Sequence, residues 1–343
     1  MSGSALRIAM LAPPWYDVPP EAYGGIEMVC GELADGLVEE GHKVRLLATG
    51  DCRTKAEFVE AGDRPEICWI GRSVPTIAYA AQAERLLRGS DVDLVHDHTE
   101  AGPLFAAVRD APTVVTAHGP MTGPFGAYYR AIADGVHLVA ISQAQRDLAP
   151  DLPWVGMVHN AVRVDDFPLP GERDDVVVFL GRASRDKGAH LAIDAARAAG
   201  LRILLAGKCT EVEEHLYFAS EVKPRLGEDA QWLGEADMAL KLDLLSRARC
   251  LLFPICWEEP FGMVMIEANA CGTPVVALRR GSVPEVITDG VNGFVCDDPA
   301  ELPEAVLAAE RLDPYRCREH LYGRFDPPTL VSGYQEVYRQ VLG

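Results

Sequence analysis

Two acids bracketing a glycine turn form the most chemically pointed stretch of the sequence, Glu258-Glu259-Pro260-Phe261-Gly262-Met263-Val264-Met265-Ile266-Glu267-Ala268. It follows Leu251-Leu252-Phe253-Pro254, an apolar run that reads as a buried strand. Glu259 then falls in the loop after the strand, Gly262 at the turn, and a helix opening at Met263 and Val264 turns its first unpaired N–H groups toward an anion. Glu267, one helical turn further, can accept hydrogen bonds from two adjacent ribose hydroxyls. Acidic residues favour first helical turns for the dipole alone, which would account for Glu267 by itself but not for a second acid across the turn.

A second constellation supplies cations. In Leu180-Gly181-Arg182-Ala183-Ser184-Arg185-Asp186-Lys187-Gly188, Arg182 leaves a strand end and Lys187 lies five residues later, near a helix start. A planar guanidinium fork and an ammonium point charge together suit a diphosphate, although either alone is more often solvated surface charge. Gly207-Lys208-Cys209-Thr210 lacks the upstream glycine of a Walker loop. Near the N-terminus, Tyr23-Gly24-Gly25-Ile26-Glu27 lies between a first strand and its helix, where Gly24 and Gly25 let backbone approach an anion; a plain turn uses the same residues. His96, Asp97 and His98 follow Leu94-Val95, and His118 follows Thr113–Thr116. A metal site from the three histidines requires His96 and His98 to share a face, and spacing secures no third ligand. Asp91-Val92-Asp93 falls before the strand, in a helix-to-strand loop. The expectation is therefore no metal and no other cofactor.

The elements that must position these groups alternate in a βα rhythm. Leu6–Leu11, Val44–Ala48, Leu94-Val95, Thr113–Thr116 and Leu138–Ile141 read as strands of one sheet, with a helix over Ile26–Glu40 that stops at Gly41. The rhythm restarts after 167–175, a linker-like run of Pro, Gly and charge, with strands at Val176–Leu180, Arg202–Ala206, Cys250–Pro254 and Thr273–Ala277. The pattern predicts an α/β chain of two doubly wound, Rossmann-like domains facing across a cleft, with ligands at the strands' carboxyl ends. The domains are expected at 1–168 and 169–327, and 328–343, with helical spacing, as a helix crossing back toward the first. A length of 343 residues agrees with two cores.

Composition excludes several function classes. A net charge of −19 without a run of Lys and Arg argues against nucleic acid and anionic lipid, since Arg279-Arg280 is too short to form a basic patch. Nine cysteines include no C-x-x-C pair and several sit in apolar runs, which predicts free thiols in a reducing compartment. Met1–Ala5 shows no start of a secretory signal, and no window approaches the roughly 20 apolar residues of a membrane helix. A cytoplasmic protein with no stable membrane insertion is expected.

Together these residues resemble the retaining glycosyltransferases of family 4, which have the GT-B fold. The likeness lies in Gly24-Gly25-x-Glu27, Thr116-Ala117-His118-Gly119, Asn160-Ala161-Val162, Gly181-Arg182 with Lys187-Gly188, and Glu259-x7-Glu267. It continues through Ala270-Cys271-Gly272-Thr273-Pro274-Val275-Val276-Ala277, Gly281-Ser282-Val283-Pro284-Glu285 and Asp289-Gly290-Val291-Asn292-Gly293. Pro19-Pro20-Glu21-Ala22-Tyr23-Gly24-Gly25-Ile26-Glu27 is similar to a branch that glycosylates small molecules such as antibiotic and pterin precursors. The resemblance implies an acceptor side at 1–168, a nucleotide-sugar side at 169–327, and transfer of a hexose-type sugar from a nucleotide diphosphate, UDP favoured, to an unidentified acceptor. It further implies that Arg182 and Lys187 hold the diphosphate, with backbone donors at Gly262, Met263 and Val264. Glu267 would hold the ribose, Glu259 the sugar hydroxyls, and Leu233, in Trp232-Leu233-Gly234, would lie by the nucleobase. His118 would meet the sugar, and Gly24 and Gly25 would make room for phosphates or acceptor. Retention by front-face displacement, in which the leaving phosphate takes the acceptor proton, requires neither a separate base nor a metal; a glycosidase-like route would need a carboxylate nucleophile, for which Glu259 is the one candidate.

Two departures stand out. Ser282 occupies a position where the family often has glycine, and 51–87 lacks the basic, apolar face used with lipid acceptors, which points to a soluble acceptor. Other readings of the same architecture remain: a nucleotide-sugar epimerase with His118 and Glu259 as acid and base, a phosphorylase, for which no motif marks the pyridoxal lysine, or a non-catalytic nucleotide-sugar-binding module.

Overall fold

The computed structural model describes residues 5–20, 24–65, 67–169 and 171–343. The chain forms two compact units, one of residues up to Ala161 together with Pro327–Gly343, the other Val162–Asp326.

The first unit holds a seven-stranded sheet: β1 (Arg7–Leu11), β2 (Lys43–Ala48), β3 (Glu57–Glu60), β4 (Leu94–Asp97), β5 (Thr113–Thr116), β6 (His137–Ala140) and β7 (Trp154–Met157). Its order is β3-β2-β1-β4-β5-β6-β7, with every paired neighbour parallel. Parallel strands covered on both faces are buried along their whole length and are mostly apolar, and any polar side chain in them must find a partner. Leu94-Val95-His96-Asp97 and Thr113-Val114-Val115-Thr116 are accordingly buried at every position. The helix Gly25–Glu39 begins one residue before the expected span, and Gly41, at φ +90, carries the chain past its end.

The second unit repeats the plan with β8 (Val176–Leu180), β9 (Arg202–Ala206), β10 (Ala230–Trp232), β11 (Cys250–Phe253), β12 (Val275–Leu278) and β13 (Gly293–Cys296), in the order β10-β9-β8-β11-β12-β13. Val177, Phe179, Ile193, Leu205 and Leu252 lie in its buried core. In each sheet the order reverses once, between β1 and β4 and between β8 and β11. Loops leaving the carboxyl ends of strands diverge there and open a crevice for ligand.

The expected boundary between the units shifts. The units divide between Ala161 and Val162, upstream of 168, because residues 162–168 are held by the second unit. Val162 N–H donates to Phe325 O at 3.1 Å, and the Arg318 guanidinium donates to the carbonyls of Val164, Phe167, Pro168 and Ala270. The C-terminal helix, Pro327–Leu342, belongs to the first unit, with Tyr334 and Tyr338 fully buried. It approaches the helix Gly25–Glu39 so closely that a Cβ on Gly36 would lie 2.5 Å from Val331. Within 51–87, which was read as lacking a basic, apolar face, Trp69, Ile70, Val74 and Ile77 are exposed, the last two on the helix Ser73–Leu87. No helix among the described residues is long and apolar enough to cross a membrane.

Candidate functional site

In the second unit the predicted residues gather at the carboxyl edge of the sheet, around the β8–β11 reversal. Arg182 follows β8, and its Nη1 donates to Glu214 Oε1 at 3.2 Å. Glu214 is buried, and its other oxygen caps the helix Val212–Tyr217, accepting from the Thr210 and Glu211 N–H groups at 2.9 and 3.2 Å. A capping box thus doubles as the bracket for a guanidinium. Lys187 lies in the same loop, and its ammonium meets Glu259 Oε2 at 2.5 Å, 5.1 Å above the Trp257 ring. Trp257 Nε1–H donates to the same carboxylate oxygen at 2.9 Å. Cys256 N–H donates to Asp186 O at 2.7 Å, fastening the loop after β11 to the loop after β8.

The Glu259 loop is held from its other side. Gly281, at φ +51, passes so close that a Cβ there would lie 2.2 Å from Glu259 O. Ser282 N–H donates to Glu259 O at 3.0 Å, and the buried Ser282 hydroxyl donates to Phe261 O at 2.7 Å. The serine that departs from the family pattern therefore supplies a hydrogen bond to the site loop. Gly262, at φ +77, is the N-cap of the helix Met263–Ala270 and offers no capping side chain. The opening N–H groups at Met263 and Val264 lie in a first turn where no intrahelical carbonyl precedes them. Glu267, in the same helix, is buried and bonded to Lys241 Nζ at 2.8 Å. Leu233, 39% exposed, follows edge strand β10 at the same sheet edge and is anchored through its N–H to Leu205 O.

These contacts make a preorganised electrostatic patch. Of the three cation–carboxylate pairs Arg182–Glu214, Lys187–Glu259 and Lys241–Glu267, the last two are shielded on both sides enough to interact more strongly than surface pairs, while in the first only the carboxylate is buried. Two of the three partners, Glu214 and Lys241, escaped the sequence reading because each reaches the site from a helix remote from the motif it supports. Trp257, two residues before Glu259, escaped it as well, because it carries no motif of its own.

In the first unit Gly24 follows β1 at φ +143 and is the N-cap of the helix that starts at Gly25. A Cβ on Gly24 would lie 2.9 Å from Pro20, so the close approach requires glycine. Tyr23, with Glu21 and Ala22, lies outside the described residues. His118 follows β5 and His98 follows β4, with His98 Nδ1 2.9 Å from His118 Nε2. Strand β4 ends at Asp97, yet His96 and His98 lie on one side, their ring centroids 4.1 Å apart. The turn is braced by the buried Asp97 carboxylate, which accepts from Thr99 N–H, Thr99 Oγ1 and Arg109.

His96 is occupied on both nitrogens, 2.8 Å from Tyr338 Oη and 2.8 Å from Thr116 Oγ1, and Thr116 Oγ1 lies 2.8 Å from Tyr334 Oη. Both His96 nitrogens thus face hydroxyls, while His98 and His118 face each other nitrogen to nitrogen. Burial pushes His96 and His118 down to about 3, and burial with neighbouring imidazoles pushes His98 well below its ordinary value. All three are neutral near pH 7. Asp91 and Asp93 both pair with Arg7 at the amino end of the sheet, the edge opposite the histidines.

The edge of the second unit thus offers cations and helix N–H groups for phosphates and fixed carboxylates for hydroxyls, and that of the first offers neutral imidazoles for hydrogen bonding. A glycosyltransferase family 4 model matches residues 23–166, and a model of group 1 glycosyl transferases matches residues 165–320. The phosphatidyl-myo-inositol mannosyltransferase of Mycobacterium leprae is 27% identical, covering 98% of this chain and 97% of its own length. The alpha-maltose-1-phosphate synthase of Mycolicibacterium smegmatis is 28% identical, with 98% of this chain and all of that protein covered. Among solved structures, a glycosyltransferase involved in avilamycin A biosynthesis aligns with a TM-score of 0.76 and 28% identity over 98% of both chains. With two family models matching in succession and such relatives aligned over nearly its whole length, the chain belongs to the family 4 glycosyltransferases and has their GT-B fold.

Proposed function

We propose that the protein transfers a hexose-type sugar from a nucleotide diphosphate sugar, UDP favoured, to an acceptor hydroxyl, with retention of configuration and without a metal. One observation carries this reading: the ammonium of Lys187 and the carboxylate of Glu259 lie side by side at the β8–β11 reversal, next to a helix mouth. A sugar diphosphate needs that arrangement, with a cation for the phosphate and a hydrogen-bond acceptor for the sugar hydroxyls in adjacent places. Arg182 completes the charge for the diphosphate, and Glu267, held by Lys241, suits the ribose diol.

In the step proposed, the bond from the anomeric carbon to the β-phosphate oxygen breaks. The new bond to the acceptor oxygen forms on the same face, and the acceptor's proton passes to the departing phosphate. Arg182, Lys187 and the N–H groups at Gly262, Met263 and Val264 offset the negative charge that grows on that phosphate. His118 meets the sugar, and Gly24 and Gly25 leave room at the helix start. The leaving group takes the proton, so no further base is required.

A thermal-shift panel of nucleoside diphosphates and their sugars, with Mg2+ and with EDTA, tests this reading. Ligand that binds only the folded state raises the melting temperature. A shift with UDP or its sugars that survives EDTA is expected. No shift with any sugar nucleotide, or one that disappears in EDTA, refutes the donor or the metal-independent part. Incubating the donor without acceptor separates transferase from epimerase, since an epimerase converts it and a transferase hydrolyses it slowly.

The acceptor is read as soluble because 51–87 lacks the basic, apolar face used with lipid acceptors. A second reading is favoured by the exposed Trp69, Ile70, Val74 and Ile77, which would suit an acceptor carrying an apolar chain. Turnover unchanged by liposomes supports the first reading, and turnover that depends on them supports the second.

A further inference from the structure

The proposed step leaves one buried polar cluster of the first unit without a role. His98 is 3% exposed, and its ring is packed against those of His96 and Tyr334. Its Nδ1 faces His118 Nε2 at 2.9 Å, while its Nε2 is buried with no hydrogen-bond partner among the described residues. His96 cannot relieve that nitrogen, because both its own are engaged by Tyr338 and Thr116.

The proton count of the pair follows from these contacts. Burial keeps both rings neutral, so each carries a single N–H, and one ring donates to the other. If His118 Nε2–H donated, His98 would carry its proton on Nε2, as a buried donor without an acceptor. If His98 Nδ1–H donates, the unpaired Nε2 is only a lone pair. Buried orphan N–H groups are rarer than under-satisfied acceptors, which selects the second arrangement. His118 then accepts at Nε2 and must bear its own proton on Nδ1. Its half-buried ring therefore offers an N–H donor to a ligand, suited to a sugar hydroxyl oxygen.

We propose that His98 is a positioning residue that fixes the tautomer and ring orientation of His118 through this hydrogen bond, so that His118 presents Nδ1–H to the donor sugar. The inference rests on the reading of His118 as sugar-binding. His98 itself touches no substrate. Its place at the end of β4, braced by Asp97 and Thr99, makes the imidazole pair rigid before any ligand arrives.

Two measurements test the idea. Long-range 1H–15N correlation spectra of 15N-histidine-labelled full-length protein report which nitrogen of each ring is protonated. Nδ1–H on both His98 and His118 is expected, and Nε2–H on both overturns the proposal. Kinetics use hydrolysis of whichever sugar nucleotide gives the largest melting shift. His98→Leu should lower kcat/KM about tenfold or more, since small misplacements of a contact group are costly. His98→Asn, whose amide can donate from near the Nδ1 position, should recover most of that loss. In a His118→Ala background, His98→Leu should cost little more, because the two residues act as one unit. An equal loss in both backgrounds would mean a merely structural role and overturns the proposal. If His98→Leu fails to fold, the Asn variant and the ring spectra decide alone. A fully active His118→Ala overturns the reading of His118, and with it the purpose assigned to His98. A crippled His118→Ala beside an undiminished His98→Leu overturns His98 only.

Discussion

The candidate sites of the two units are built in opposite electrostatic styles. In the second unit the candidate site is built of full charges, each cation pinned by a carboxylate. In the first it is built of neutral rings and hydroxyls, with His96, Thr116, Tyr334 and Tyr338 joined in one buried network beside the His98–His118 pair. Charged pairs suit a ligand that brings its own charge and competes for the cations. Neutral donors and acceptors suit a sugar, and they cost less to bury when every partner is in place. The contrast teaches that one plan, a doubly wound parallel sheet with a reversal point, can present either style according to which residues leave the strand ends.

Acid should separate the two most. His96 and His118 have folded values near 3, far below the 6.5 of a free imidazole, so between those limits the unfolded chain binds more protons. The stability attached to the neutral rings is therefore complete above about pH 6.5 and lost as pH falls toward 3. Asp97 opposes this, because burial raises its carboxyl. Several kcal/mol of lost stability is expected by about pH 4 in urea unfolding. The His98→Asn variant, which removes one proton-uptake site, should show a shallower slope. Equal slopes in variant and parent would mean that the buried imidazoles are not what acid attacks.

Arg182→Ala probes the charged site. Removing a charge stabiliser from a developing phosphate typically costs about 100-fold or more in turnover. The fold should persist, because Glu214 keeps its two backbone N–H donors. Near-normal turnover in a folded Arg182→Ala protein would refute the diphosphate role and remove the charged half of the contrast.

How far each region could be read beforehand follows the same line. The central strands were visible as continuous apolar runs because both their faces are buried. The four strands that escaped notice, β3, β7, β10 and β13, are the four sheet edges. Glu57-Phe58-Val59-Glu60 is mostly exposed and Trp154-Val155-Gly156-Met157 only half-buried, so neither carries the run that marks a parallel strand. At the carboxyl edge of the second sheet, Arg182, Lys187, Glu259 and Glu267 fall into short motifs because loop and helix start are contiguous in sequence. The neutral network left a fainter trace. His96, His98 and His118 were visible as residues, but their readings depended on Tyr334 and Tyr338, more than 200 positions away. No local pattern announces a hydroxyl that arrives from the C-terminal helix.

Tyr338→Phe gives the smallest effect and the finest cut. The substitution leaves the ring packed beside His96 and removes only the hydroxyl that meets Nδ1. A net hydrogen bond of this kind is worth about 1 kcal/mol, and leaving a buried nitrogen unpaired raises the cost to about 1–3 kcal/mol. A modest drop in melting temperature is expected, with kcat/KM nearly unchanged, because His96 belongs to the scaffold and the proposed sugar contact belongs to His118. A large loss of turnover at unchanged stability would instead mean that the C-terminal helix governs the imidazole pair through His96. The first unit would then be a single coupled polar network rather than a scaffold that carries a two-residue site.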